Sequence, residues 1–67
     1  MTKTIRTIRV TARAQAVFGG RPAYAAAWLS EPKSSLGDRT PLHLLDTESG
    51  ALAVEEQLIG IEHGMFA

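Results

Sequence analysis

The sequence contains no cysteine. This absence excludes disulfide bonds, thiolate metal sites and cysteine nucleophiles. A chain of 67 residues forms one small domain, and a domain of this size buries only about 60% of the surface that its unfolded chain exposes. We therefore expect marginal stability supported by well-packed helices or a partner subunit, and no deep cleft for multi-step catalysis.

The sequence also lacks a long apolar run. No stretch reaches the roughly 18 apolar residues of a membrane-spanning helix. The charged first residues are not followed by the apolar segment of a signal peptide. We therefore expect a cytoplasmic protein with no membrane contact.

Acidic residues are missing from the first 30 positions. Residues 1–30 carry five cations and no acid, whereas residues 31–67 carry seven acids and two cations, so the net charge of zero hides halves of +5 and −5. Such asymmetry is typical of a nucleic-acid-binding arm or of an electrostatically complementary interface. Chance on a small solvated surface is the third explanation.

Apolar periodicity predicts an all-α fold, a small bundle of three to four short helices. The first helix runs over roughly Thr4–Phe18 and ends at Gly19-Gly20, since glycine tolerates the left-handed cap conformation. The β-prone residues among the first ten leave an extended or disordered start open. Pro22 begins a second helix, which continues to Leu29. The apolar stripe of the first helix comprises Val10, Ala14, Val17 and Phe18.

A loop over Ser30–Arg39 separates these helices from two more, and Leu36 is expected to fix the loop to the core. Thr40-Pro41 begins a short helix, and Thr47 caps a longer one over Glu48–Glu62. The inward stripe of the long helix comprises Ala51, Val54, Leu58 and Ile61, widened by Leu52 and Ile59. The predicted core comprises Val17, Phe18, Trp28, Leu42, Leu45, Val54 and Leu58, with Trp28 as the largest contributor.

No arrangement of residues predicts catalysis. His43 and His63 are the two histidines, lie on different predicted helices and form no H-x-x-x-H pair. The serines lack a nucleophile-elbow context, and Glu55 and Glu56 point about 100° apart on a helix. We therefore predict a protein that is not an enzyme and has no metal site and no cofactor.

Three cations share one face of the first predicted helix. Arg6, Arg9 and Arg13 lie at i, i+3 and i+7 and are candidate phosphate contacts of a small nucleic-acid-binding regulatory protein. No helix-turn-helix, ribbon or zinc module accompanies them. A solvated or partner-facing basic stripe is therefore the preferred interpretation.

The last three residues, Met65, Phe66 and Ala67, are apolar and follow Gly64, a natural helix C-cap. An apolar terminal segment is a candidate for docking into a partner. The alternative is that Phe66 folds back onto the small core.

A set of residues follows a distinctive order along most of the chain. The set comprises Val17-Phe18-Gly19, Ala27-Trp28-Leu29, Pro32, Leu36-Gly37, Arg39-Thr40-Pro41-Leu42, Leu44-Leu45, Thr47, Gly50-Ala51, Val54-Glu55, Leu58 and Ile61-Glu62-His63-Gly64. In this order the chain resembles, over about residues 10–67, the toxin-binding domain of Xre/MbcA/ParS-type bacterial antitoxins.

The resemblance implies a small helical domain that binds a cognate toxin with a RES-type, NAD-consuming fold. It also implies that the C-terminal segment blocks the entrance to the toxin's active site. Carried over by position, that segment comprises Ile61, Glu62, His63, Gly64, Met65, Phe66 and Ala67. A homo-oligomer or a higher-order complex with the toxin is left open.

The sequence departs from the family pattern in two regions. Many relatives have an N-terminal helix-turn-helix domain, which is not recognisable here, so DNA binding is not expected of this chain alone. The basic residues 1–9 have no assignable counterpart in the family, and whether they are flexible is left open. The toxin-binding domain is predicted over residues 10–67. The loop has Lys33 and Asp38 where the family commonly has asparagine and a second glycine.

Overall fold

The computed structural model describes residues 2–64. Over this range the chain forms four α-helices and one short 3-10 turn, and the predicted all-α fold is confirmed. In chain order these are α1 (Thr2–Val17), α2 (Pro22–Ser30), the 3-10 turn (Ser34–Leu36), α3 (Pro41–Leu44) and α4 (Glu48–Glu62).

Helix α1 begins two residues earlier than its periodicity predicts. Its buried side includes Val10 and Ala14. Its β-prone first turns are also helical, and from them Lys3 and Arg6 contact the residues that follow α3. The helix ends at Gly19 and Gly20, with φ of 69° and 75°. The N–H of Gly20 donates to the carbonyl of Gln15 at 2.7 Å, which satisfies an end carbonyl as in a Schellman cap.

Two threonines begin α3 and α4 as predicted. The Thr40 hydroxyl accepts from the N–H of His43 at 3.1 Å, and the Thr47 hydroxyl accepts from the N–H of Gly50 at 3.0 Å. A Cβ at Gly50 would overlap the carbonyl oxygen of Leu44. The short connection between α3 and α4 therefore requires a residue without a side chain at position 50.

The core lies where all four helices meet. Of the predicted core residues, Leu45, Val54 and Leu58 are fully buried, whereas Val17, Phe18 and Trp28 are partly buried at its edge. The prediction for Leu42 is wrong: its side chain is 39% exposed, because the single turn of α3 directs Leu44 and Leu45 to the core instead. The buried core comprises Val10, Ala14, Ala25, Leu29, Leu45, Ala51, Val54 and Leu58.

Trp28 contributes to the edge of the core and is not its largest buried member. Its ring centroid lies 6.0 Å from that of Phe18, and the Lys33 ammonium lies 4.9 Å from the Trp28 centroid on the surface side. Leu36, in the 3-10 turn, packs against the same core, as predicted.

Helix α1 packs against both α2 and α4, and α3 connects α2 and α4 on another side. The first and last described helices are therefore direct neighbours. No helix within residues 2–64 combines the length and apolar character needed to cross a bilayer.

Candidate partner-binding surface

The C-terminal end of α4 is well defined by backbone hydrogen bonds. The N–H of His63 donates to the carbonyl of Ile59, and the N–H of Gly64 donates to that of Ile61, each at 3.1 Å. Gly64 has a φ of 76°, the left-handed conformation that ends a helix. The predicted cap at Gly64 therefore has the expected geometry.

The candidate partner-binding segment lies at this end of the domain. Ile61 is half-buried, and Glu62, His63 and Gly64 are exposed. Met65, Phe66 and Ala67 lie outside the described residues. Partner binding by the seven residues stays a prediction.

The outward side of α4 carries a second set of residues, one on each successive turn. We call Leu52, Glu56, Ile59 and His63 the outer stripe; all four are exposed. The side chains of Leu52 and Ile59 are 52% and 40% exposed, so their assignment to a widened inward stripe is wrong. The inward side is already filled by Ala51, Val54 and Leu58, which leaves these two apolar residues facing solvent.

A groove of about 370 Å³ lies beside the outer stripe, between α4 and the 3-10 turn. Glu56 and Ile59 belong to both features. The Ser35 hydroxyl donates to the Gln57 side-chain oxygen at 3.0 Å, which links the turn to α4. The groove is lined by Ser35, Leu36, Ala53, Glu56, Gln57, Ile59 and Gly60.

This groove was not predicted from the sequence. The available signal was Gly60 in the interior of a helix, since a glycine there exposes backbone to whatever lies next to it.

Basic residues of the first half of the chain form ion pairs with acidic residues of the second half. Arg9 on α1 donates to Glu48 at 3.0 Å and to Glu55 at 2.8 Å, both on α4. The Lys3 ammonium lies 2.5 Å from a carboxylate oxygen of Asp46. The hydrogen bond to Glu48, followed in size by the one to Glu55, raises the pKa of Arg9. The hydrogen bond from Lys3 lowers the pKa of Asp46.

Arg6 has a different role from its neighbours on α1. Its side chain is only 9% exposed and donates to two backbone carbonyls, that of Leu45 at 2.9 Å and that of Asp46 at 2.8 Å. These carbonyls lie in the connection that directly follows α3, so Arg6 supplies hydrogen-bond donors from a distant helix to a backbone segment that has no helical partners.

The three arginines predicted as nucleic-acid contacts therefore do not form a continuous exposed basic surface. Arg6 is buried and Arg9 is paired with two glutamates, whereas Arg13 is exposed. Nucleic-acid contact by this set stays a prediction, and no contact of these residues favours it.

The two histidines lie on different helices, with His43 in α3 and His63 at the end of α4. Both are exposed. In the part of the chain that the structure describes, no three histidine or acidic side chains are grouped closely enough to hold a metal ion.

Comparison with known proteins identifies the family. A family model described as the antitoxin Xre/MbcA/ParS C-terminal toxin-binding domain matches residues 13–64. The chain is 44% identical over 62 residues to a protein named antitoxin Xre from Yersinia enterocolitica, covering 92% of this chain and 42% of the relative.

Two further relatives carry the same name. The antitoxin Xre of Pseudomonas putida is 40% identical over 92% of this chain and 38% of its own length, and that of Photorhabdus laumondii is 45% identical over 90% of this chain and 40% of its own length. The chain thus spans about two fifths of the length of these relatives. No solved structure gives a significant match. Because the family model covers most of the chain, this protein belongs to the family of Xre/MbcA/ParS antitoxin C-terminal toxin-binding domains.

Proposed function

We propose that the domain neutralises a RES-type, NAD-degrading toxin by covering the entrance to the toxin's active site with residues 61–67. The observation that carries the proposal is the match of a toxin-binding family model over residues 13–64, which ends at the exposed end of α4. The family match and the relatives named antitoxin Xre support a role in a toxin–antitoxin system.

The end of α4 suits a segment that is presented to a partner. The helix has 15 residues and is anchored in the core through Ala51, Val54, Leu58 and Gly60, so it supports the residues that follow its last buried turn. Gly64 has the left-handed conformation that ends a helix. The segment can then enter a cleft while the upstream helices supply affinity.

Glu62 supplies charge that suits an NAD-binding site. Its side chain is exposed, and within residues 2–64 it forms no ion pair. A site that binds the pyrophosphate of NAD needs cations or hydrogen-bond donors. A carboxylate at the entrance would pair with such groups in place of the dinucleotide.

Deletion of Met65–Ala67 tests occlusion by the tail. The described core lies upstream, so the truncated chain should keep its helical circular dichroism. It should bind the toxin more weakly, but still bind, and should restore much of the toxin's NAD consumption. The measurements are toxin affinity and the rate of NAD loss with the toxin saturated by each chain.

The matched control is the full chain with Ile8→Ser. Ile8 is a 64% exposed apolar residue on α1, far along the chain from the tail. This variant should inhibit like the unaltered chain. Occlusion by the tail is refuted if the truncated chain, at saturation, inhibits as completely as the full chain.

A further inference from the structure

We infer that the outer stripe of α4, together with the adjoining groove, is a second contact for the same toxin. It would receive an apolar side chain of the toxin with a basic side chain next to it. The identity of the partner rests on the proposed function; the surface and its chemistry rest on the observations below.

The first observation is that α4 is apolar on two sides. Its inward side is covered by the other helices, with Val54 and Leu58 fully buried. On the outward side, Leu52 and Ile59 lie about two helical turns apart and remain exposed. Exposed apolar residues with this spacing are the anchors of a helix that lies against a partner's surface.

The second observation is the groove itself. Its lining combines apolar residues, among them Ile59 and Gly60, with polar groups of Ser35, Gln57 and Glu56. A lining that is mostly apolar with a small number of polar groups is typical of a binding pocket. Its volume of about 370 Å³ admits a large side chain from a partner.

The third observation concerns charge. Glu48 and Glu55 on the α1 side of the helix are both paired with Arg9. Glu56 is exposed at the groove rim and, within residues 2–64, forms no ion pair. A partner surface that is complementary to this site therefore carries a cation, and nucleic acid is disfavoured because its phosphates would be repelled.

The position of the stripe within the chain favours the toxin over a second copy of the chain. Another exposed apolar pair, Ile5 and Ile8 on α1, lies outside the residues that match the toxin-binding family model. The whole outer stripe and the groove lie inside the match, which covers residues 13–64. The stripe also leads directly into the segment that follows α4.

Two substitutions in the full chain, with the tail intact, test the inference. Ile59→Ser removes the apolar anchor, and Glu56→Lys reverses the charge at the rim. The probe is the purified toxin encoded by the reading frame next to the gene for this chain. We expect each variant to bind about tenfold more weakly. For Glu56→Lys the association rate should fall, with less dependence on salt.

Ile8→Ser is the matched control, because it makes the same change at an apolar residue that is 64% exposed outside the stripe; it should bind like the unaltered chain. Circular dichroism shows whether each variant is folded. If Ile59→Ser does not fold, Glu56→Lys still tests the inference, because it changes only an exposed side chain.

The inference is overturned if the unaltered chain binds the toxin and both stripe variants bind within twofold of it. It is also overturned if Ile59→Ser changes only the self-association of the free chain in sedimentation velocity. Failure of the unaltered chain to bind the toxin would refute the proposed function as well, and so is distinguishable from failure of the stripe alone.

Discussion

Gly50 is the residue at which the packing leaves the least freedom. A methyl group added at Gly50 would overlap the carbonyl oxygen of Leu44. This oxygen belongs to the backbone and cannot rotate away as a side chain can. We predict that Gly50→Ala lowers the free energy of unfolding by about 1–3 kcal/mol, as overpacking usually does, although alanine is the better helix former. Urea denaturation followed by circular dichroism measures the change.

Ser49→Ala is the control for this prediction, because Ser49 is the exposed neighbour on the same turn of α4. It should change the unfolding free energy little. If Gly50→Ala and Ser49→Ala were equally stable, α3 and α4 could move apart to accommodate the methyl group without a loss of unfolding free energy, which would contradict the prediction.

Single residues differ in how far their roles can be read from the sequence. Thr40 and Thr47 were predicted correctly because a cap involves a side chain and an N–H three residues away. The role of Arg6 was missed because its acceptors lie 39 and 40 residues away. The exposure of Leu42 was missed because the direction of a one-turn helix depends on the elements around it.

At the scale of helices, α1 depends on an attachment near its start. The Arg6 guanidinium joins α1 to the carbonyls of Leu45 and Asp46. We predict that Arg6→Met, which keeps an apolar stem but removes the donors, costs about 1–3 kcal/mol, because the carbonyls lose charged donors in a mostly buried position. Urea denaturation measures the loss, and amide hydrogen exchange should increase most over residues 2–9.

Arg13→Met provides the comparison on the same helix, because Arg13 is exposed. We expect a change within about 0.5 kcal/mol, as for most surface substitutions. If both arginine variants were equally stable, the two hydrogen bonds of Arg6 would make no net contribution to the stability of the domain.

The helices themselves were predicted better than their outer surfaces. The bounds of α4 agree with the prediction because Thr47 and Gly64 mark its ends through local chemistry. The groove beside α4 was not predicted, because it forms only when the 3-10 turn is placed against Gln57. Periodicity shows that a helix such as α4 has apolar residues on two sides. It does not show which side the other helices cover, and so it did not predict that Ile59 is exposed.

At the scale of the whole molecule, stability should depend on the partner. A domain of this size is marginally stable alone, and a ligand present at a hundred times its Kd adds about 2.7 kcal/mol. For a domain of 60–100 residues this corresponds to a rise in Tm of about 10 °C or more. Differential scanning calorimetry of the chain with and without toxin measures it.

The control in that experiment is an unrelated protein at the same concentration, which should leave the Tm unchanged. A constant Tm with the toxin at a hundred times its measured Kd would contradict this pairing. The proposed partner was inferred from the order of residues that resembles a family, because no constellation of side chains in the sequence specifies a toxin by its chemistry.

The contact between α1 and α4 links the folding of the domain to the completion of its synthesis. On the ribosome, α1 emerges with Val10 and Ala14 uncovered and must wait for α4, the last described helix, before this side is buried. Fragments that stop before α4 should therefore leave Val10 and Ala14 uncovered and be open to proteolysis. The supply of the folded domain should fall more steeply than the supply of nascent chains.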